Sequence, residues 1–190
     1  MMDRRKSILD AAERSFSMFG YKASTVDQIA KIANVGKGTI YTFFANKEEL
    51  FSEIITNLVT ETKLAASSAI KEDRPFYENL HNALYEVVEL RKTHKLAVKL
   101  SQEVKELNTS PVTEALQRIE KAVLSFVQKE LDKAVEKGEI KECHTDIVAF
   151  MMVKVYIALI FDWERDHEAL QKEKMLEVLE MFVMDGLRKP

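Results

Sequence analysis

NVGKGTIYTFF, Asn34 to Phe44, decides how the rest of this 190-residue chain is read. Two glycines bracket a lysine and three aromatics crowd the positions that follow. With no carboxylate, histidine or cysteine, the stretch can do no covalent chemistry. Asn34 can adopt a left-handed backbone, Val35 is apolar enough to plug a corner, and Gly36 can begin a new helix. A helix therefore ends before Asn34 and another starts after Gly36, the pattern of a tight helix-turn-helix.

Upstream, apolar residues at three- and four-residue spacing predict a helix over 4–19. It buries Ile8, Ala11, Ala12, Ser15, Phe16 and Phe19 and stops at Gly20, which can take a left-handed conformation. Thr25 and Gln28 form a capping-box pattern for a second helix ending near residue 33. The third helix covers about 37–43. Its Ile40 and Phe44 turn inward beside Ile29, Ile32 and Val35, leaving Gly38, Thr39 and Thr42 facing out. That helix offers a positive N-terminus, Lys37 beside it, and polar tips on Thr39, Tyr41 and Thr42, a set suited to phosphates and base edges of DNA. Asn46 and Glu49 repeat the capping-box pattern at the fourth helix. Lys47 in its first turn opposes the helix dipole, which makes sense if a phosphate arrives there; the plainer reading is a solvated lysine.

Charge supports a split chain. Residues 1–47 hold eight Lys/Arg against four Asp/Glu, a net +4, which leaves −7 on the remainder. A basic head on an acidic body fits a polyanion partner for the head alone. One cysteine, Cys143, forms no internal disulfide, and no charged leader precedes an apolar run, so a reducing, cytoplasmic location is expected. The most apolar segment, 147–161, is too short to span a bilayer and carries Lys154.

Only five glycines and three prolines interrupt the chain, no segment reads as a strand, and the fold expected is all-α with about nine helices. The fourth helix continues toward residue 70, with Leu50, Ile54, Ile55, Leu58 and Val59 on its apolar face. "DRP" at 73–75 breaks it. Further helices are read at about 76–92 and 96–107, then from Ser110 as cap and Pro111 as first helical residue toward Gly138. The eighth, about 145–163, is apolar nearly all round and must be covered on all sides. The ninth, about 170–187, offers Met175, Leu176, Leu179, Phe182 and Val183. A homodimer through helices 8 and 9 is the closure these faces predict.

The residues also carry a resemblance. STVDQIAKIANVGKGTIYTFFANKEEL, Ser24 to Leu50, with ILDAAERSFSMFGYKAST before it, resembles the N-terminal DNA-binding motif of the TetR family of bacterial transcriptional regulators. The likeness implies a three-helix DNA-binding domain, 1–47, followed by a helical effector-binding and dimerisation domain, 48–190. It implies that Thr25 and Lys47 touch phosphates at the two groove edges, that Lys37, Gly38, Thr39 and Thr42 lie at base edges or nearby backbone, and that Tyr41 holds a phosphate. Gly36 stands where the family usually has serine, removing a possible cap and contact. Phe43 stands where tyrosine or histidine is common, so its contact would be apolar, with a thymine methyl or a sugar.

A ligand pocket is argued from composition. His81, Tyr85, His94, Phe126, Met151, Met152, Tyr156 and Trp163 are soft or amphipathic groups within helices 5 to 8, where the family binds its inducers. Met and aromatic residues at helical spacing are more often plain core; if they line a pocket, its ligand is largely apolar. The four histidines show no metal-ligand spacing, and no cofactor is called for. "EVKE" and "DWERD" read as solvated acidic patches, and Cys143 beside His144 diverges from it along a helix, so an enzyme is not expected. The chain reads as a ligand-responsive regulator, a repressor, on a palindromic double-stranded operator. The alternative is a DNA-binding regulator governed by a protein partner or by no effector.

Overall fold

The computed structural model describes residues 3–89, 91–168 and 170–187; the side-chain description excludes 88–89, 91–94, 160–161, 164–165, 172, 176, 179 and 183–185. Every regular element among the described residues is helical, as the periodicity demands. In order they are α1 (Arg4–Phe19), α2 (Val26–Ala33), α3 (Lys37–Tyr41), α4 (Lys47–Ala69), α5 (Phe76–Glu89), α6 (Arg91–Leu107) and α7 (Ser110–Glu136). α8 covers 145–166 and contains a π-helical turn at Ala158–Asp162, and α9 covers 172–187 with another at Glu180–Met184. No helix among the described residues is long and apolar enough to cross a membrane.

The helices divide into two compact units, one of 1–60 with 91–119 and another of 61–90 with 120–190. α4 and α7 each begin in the first unit and end in the second. In the first unit Ile8, Phe16, Ile29, Ile40, Phe44, Leu50, Phe51 and Ile55 share one core with Leu96, Leu100, Val112 and Ala115 of α6 and α7. Burying side chains of this size contributes about 1.5–3 kcal/mol each. Aromatic packing adds direction: Phe51 meets Phe16 edge-on at 5.4 Å and lies 4.6 Å from Tyr21.

The second unit has its own core of Phe76, Leu131, Ala134, Ile140, Ala149, Met152 and Leu187. Gly138, at φ 69°, ends α7 in a conformation that favours glycine, and the N–H of Glu139 returns to the Ala134 carbonyl at 2.9 Å. The chain is then held by Lys141 N–H, which donates to the Leu187 carbonyl at 3.2 Å.

Several sequence expectations shift. α3 ends at Tyr41, not Phe43, because the N–H groups of Phe43 and Phe44 both donate to the Ile40 carbonyl, closing the helix early and swinging Phe44 inward. Phe19 was expected in the core but is 46% exposed, since the Tyr21 ring fills the place beside Phe16. Ile32 is likewise surface-facing. α5 is described to Glu89 and α6 from Arg91, five residues before the expected start, as nothing in 91–95 breaks a helix. Thr109 rather than Ser110 supplies the capping carbonyl of α7, accepting from Val112 and Thr113, so Pro111 sits one position further in, where its missing N–H still costs nothing. α8 is not covered on all sides in this single chain: Ala149, Met152 and Val153 are buried, whereas Ile147, Phe150 and Met151 are exposed.

Candidate nucleic-acid interface

The corner that presents α3 is built by local chemistry. Thr25 begins α2 with its Oγ1 accepting from the Gln28 N–H at 3.2 Å, while Gln28 Oε1 accepts from the Thr25 N–H at 2.9 Å. This reciprocal box satisfies two otherwise orphaned donors. At the far end Asn34 is left-handed, φ 54° and ψ 47°, and its N–H and that of Val35 return to α2 carbonyls. Gly36 follows in an extended conformation and starts α3 without a side-chain cap. Only a small turn therefore separates the two helices, and Ile40, 2% exposed, pins the second against the first.

The residues expected to face outward from α3 and its end differ in exposure. Tyr41, Thr42 and Phe43 are exposed, Thr39 is half-buried, and the space where a side chain on Gly38 would stand is open. Thr42 Oγ1 donates to the Thr39 carbonyl at 2.7 Å, which commits its proton to the helix and leaves its lone pairs for an incoming donor. Lys37 Nζ lies 2.9 Å from Asp27 Oδ2 of α2. That pairing raises the Lys37 pKa above the ordinary lysine value. Asp27 carried no signal in the sequence, because its partner lies ten positions away across the turn.

Lys47 is half-buried rather than freely solvated. Its ammonium donates to the carbonyls of Tyr21 at 2.8 Å and Ser24 at 2.9 Å and lies 4.3 Å from the Tyr21 ring centre. Burial lowers its pKa, opposed by the nearby Glu103 carboxylate. Two of its three protons are thus given to the α1–α2 turn, and one remains. The Asn46 box also opens differently: Asn46 Oδ1 accepts from the Glu49 N–H at 2.8 Å, but the Glu49 carboxylate reaches back to the Ala45 N–H, one residue beyond the usual partner.

The turn that Lys47 grips is held from a second side. Glu103 of α6, only 6% exposed, accepts the Lys22 N–H with both oxygens at 3.1 and 3.2 Å. Gly20 has φ 84° and ψ 169°, so it leaves the helix extended rather than in the left-handed helical form, and a Cβ on it would lie 2.5 Å from Glu103 Oε2. Ser15 Oγ donates to Ser24 Oγ, which donates to the Gly20 carbonyl, completing a buried polar chain. Ser52 and Thr56 of α4 accept from the Arg118 guanidinium of α7 at 3.1 Å each, and Arg5 of α1 pairs with Glu53. α4 is thereby tied on two sides by residues the sequence reading passed over.

The expected pocket residues are scattered. His81 and Tyr85 stack one turn apart on α5, and His81 Nδ1 meets a Glu180 carboxylate oxygen of α9. Tyr85, Met151 and Trp163 face the surface, with Trp163 stacked 4.0 Å from His167. Met152 sits in the core of the second unit, Phe126 is half-buried, and burial raises the Tyr156 phenol pKa. His94 belongs to α6, and its side chain lies outside the described residues. An open groove of about 360 Å³ lies in the first unit, lined by Lys6, Asp10, Arg14 and Ile32 among others. Among the described residues no cluster of His, Cys, Asp or Glu could hold a metal ion.

Comparison with known proteins bears on this geometry. The family model of bacterial regulatory proteins, tetR family, matches residues 8–54. An HTH-type transcriptional regulator of Bacillus subtilis, YhgD, is 50% identical over 186 residues, spanning 98% of this chain and 97% of its own. The fatty acid metabolism regulator protein of the same organism is 31% identical over 141 residues, 71% of this chain and 70% of its own. Among solved structures, the fatty acid degradation regulator FadR from Bacillus halodurans has a TM-score of 0.82 at 22% identity, covering 100% and 99% of the two chains. At that identity the likeness speaks for the fold alone. The transcriptional regulator FadR from Bacillus subtilis, solved in complex with stearoyl-CoA, has a TM-score of 0.75 at 25% identity and covers 92% of this chain and 96% of that one. These relatives carry the names of regulators, not of enzymes.

Proposed function

This chain belongs to the TetR family of bacterial transcriptional regulators, and from that premise we propose that it is a cytoplasmic, ligand-responsive repressor that binds a palindromic operator as a homodimer. The observation that carries the reading is the presentation of α3: a short helix on a capped, glycine-started corner, with Lys37, Gly38 and Tyr41 exposed on it, Thr42 and Phe43 exposed just after it, and Thr39 half-buried. In this reading Lys37, Gly38, Thr39 and Thr42 meet base edges or nearby backbone, Tyr41 holds a phosphate, and Phe43 makes an apolar contact with a thymine methyl or a sugar. Thr25 and the remaining proton of Lys47 take phosphates. The DNA-binding domain is 1–47 and the effector and dimerisation domain 48–190.

Dimerisation through α8 and α9 is supported by Ile147, Phe150, Met151, Met181 and Phe182, large apolar residues left in solvent by a single chain. Two heads on one dimer then reach successive major grooves about 34–36 Å apart, which makes the operator an inverted repeat. The effector is a long-chain acyl thioester, on the strength of the names and the bound stearoyl-CoA of the two relatives. Binding it shifts α4, and with it the separation of the heads. A second reading, control by a protein partner, is favoured by the exposure of Tyr85, Met151 and Trp163, which sequence reading placed in a pocket.

Selection of bound fragments from randomised duplex DNA tests the head, and adding stearoyl-CoA to the enriched complex tests the body. An inverted repeat released by the thioester is the expected result. Failure to enrich any motif would overturn the operator reading, whereas a motif that stearoyl-CoA leaves bound would favour the protein partner.

A further inference from the structure

The first turns of α2 and α3 meet through a single ion pair, Asp27 to Lys37, in which both side chains are about half exposed, at 62% and 49%. An acid in the first turn of a helix ordinarily serves that helix's own dipole. Here Thr25 already accepts the Gln28 N–H, and the Asp27 carboxylate is turned to the lysine of the next helix. Exposed pairs of this kind stabilise a fold little. The consequence lies in what the carboxylate does to the surface that presents Lys37.

We propose that Asp27 is a specificity-determining residue of this surface: it holds the Lys37 ammonium in place for a base edge and discourages its use on phosphates. The inference rests on reading α3 as the recognition helix. A phosphate approaching Lys37 must compete with Asp27 for the ammonium and meets the repulsion of a second negative charge. A guanine edge is neutral and offers O6 and N7 as acceptors, so Lys37 can donate to it with one proton while another stays on Asp27. The acid therefore weakens contacts that any sequence can supply more than contacts that one sequence supplies, which is discrimination by a repulsive element. Holding the four-carbon stem in one direction also reduces the ordering cost of the base contact.

The test compares the wild type with Asp27→Asn, Lys37→Ala and the double variant, on an enriched duplex and on a scrambled duplex of equal length, over a range of salt. Asp27→Ser is a second removal of the charge that keeps a residue tolerated at a helix start. For either Asp27 variant the scrambled duplex should bind about three- to tenfold tighter, with a salt slope steeper by up to about 0.9, the value for one more neutralised phosphate. The enriched duplex should change by less than about twofold, and in the double variant the effect of removing Asp27 should vanish. Equal factors on both duplexes, no change on either, or an effect that survives Lys37→Ala would overturn the proposal. The recognition-helix reading fails separately, if Lys37→Ala alone leaves both duplexes bound as before.

Discussion

The two compact units use their apolar residues differently. In the first, Phe16, Phe44, Phe51, Ile8, Ile29, Ile40, Leu50, Ile55, Leu96 and Leu100 are almost wholly enclosed; among the described residues of the second, Leu131 and Ile140 are the large side chains enclosed to that degree. The second unit leaves Ile147, Phe150, Met151, Met181 and Phe182 in solvent. Polar contacts tie both units: in the second, Asn79 donates to the Lys71 carbonyl and Thr145 to Asp132. The α1–α2 turn is held by Lys47, Glu103, Ser15 and Ser24 together. The first unit thus encloses more of its large apolar side chains, although Met18, Phe19, Ile32, Tyr41, Phe43 and Leu107 remain exposed there too.

The sharpest way to break this comparison is to excavate the first unit from α6. Leu100→Ala should lower stability by about 3 kcal/mol, within the range for a buried leucine, measured by urea unfolding. If α6 belongs to the head's core, amide exchange in α1 should quicken along with that in α6. Exchange confined to α6 would detach it from the unit. Next, Gly20→Ala should cost about 2 kcal/mol, because alanine is strained at φ 84° and its Cβ would collide with Glu103 Oε2. A variant as stable as the wild type would show that the corner relaxes freely.

Thr25→Ala removes one half of the capping box and should cost about 1 kcal/mol by thermal unfolding. Arg5→Ala breaks an exposed pair with Glu53 and should change stability by less than about 0.5 kcal/mol. In the second unit Phe182→Ser, at a side chain 67% exposed, should likewise leave the stability of the isolated subunit within about 0.5 kcal/mol while weakening its self-association in sedimentation. A large loss of stability without any change in association would place Phe182 in a core and erase the contrast between the units.

What the sequence made legible was chemistry spanning a few residues. The Thr25–Gln28 box and the inward Ile40 and Phe44 follow from residues three to four apart, and the left-handed Asn34 from its own residue type. What stayed hidden depends on distant partners. Glu103 meets Lys22 across 81 positions, Arg118 meets Thr56 across 62, and the purpose of Lys47 at a helix start emerges only when the Tyr21 and Ser24 carbonyls arrive beside it. Phe19 failed as a core residue for the same reason, since its periodicity was correct but the Tyr21 ring took the site. The pocket residues were chosen by side-chain type within helices 5 to 8, and type does not tell an inner from an outer helix face when both are apolar, as Met151 and Met152 of α8 illustrate.

Trp163 is the sole tryptophan in the chain, and its ring lies parallel to that of His167 at 4.0 Å. All of the protein's indole fluorescence therefore originates at one spot near the end of α8, against the face of an imidazole. Any event that moves the two rings apart changes the surroundings of that one indole, and the unmodified chain reports it without an added dye.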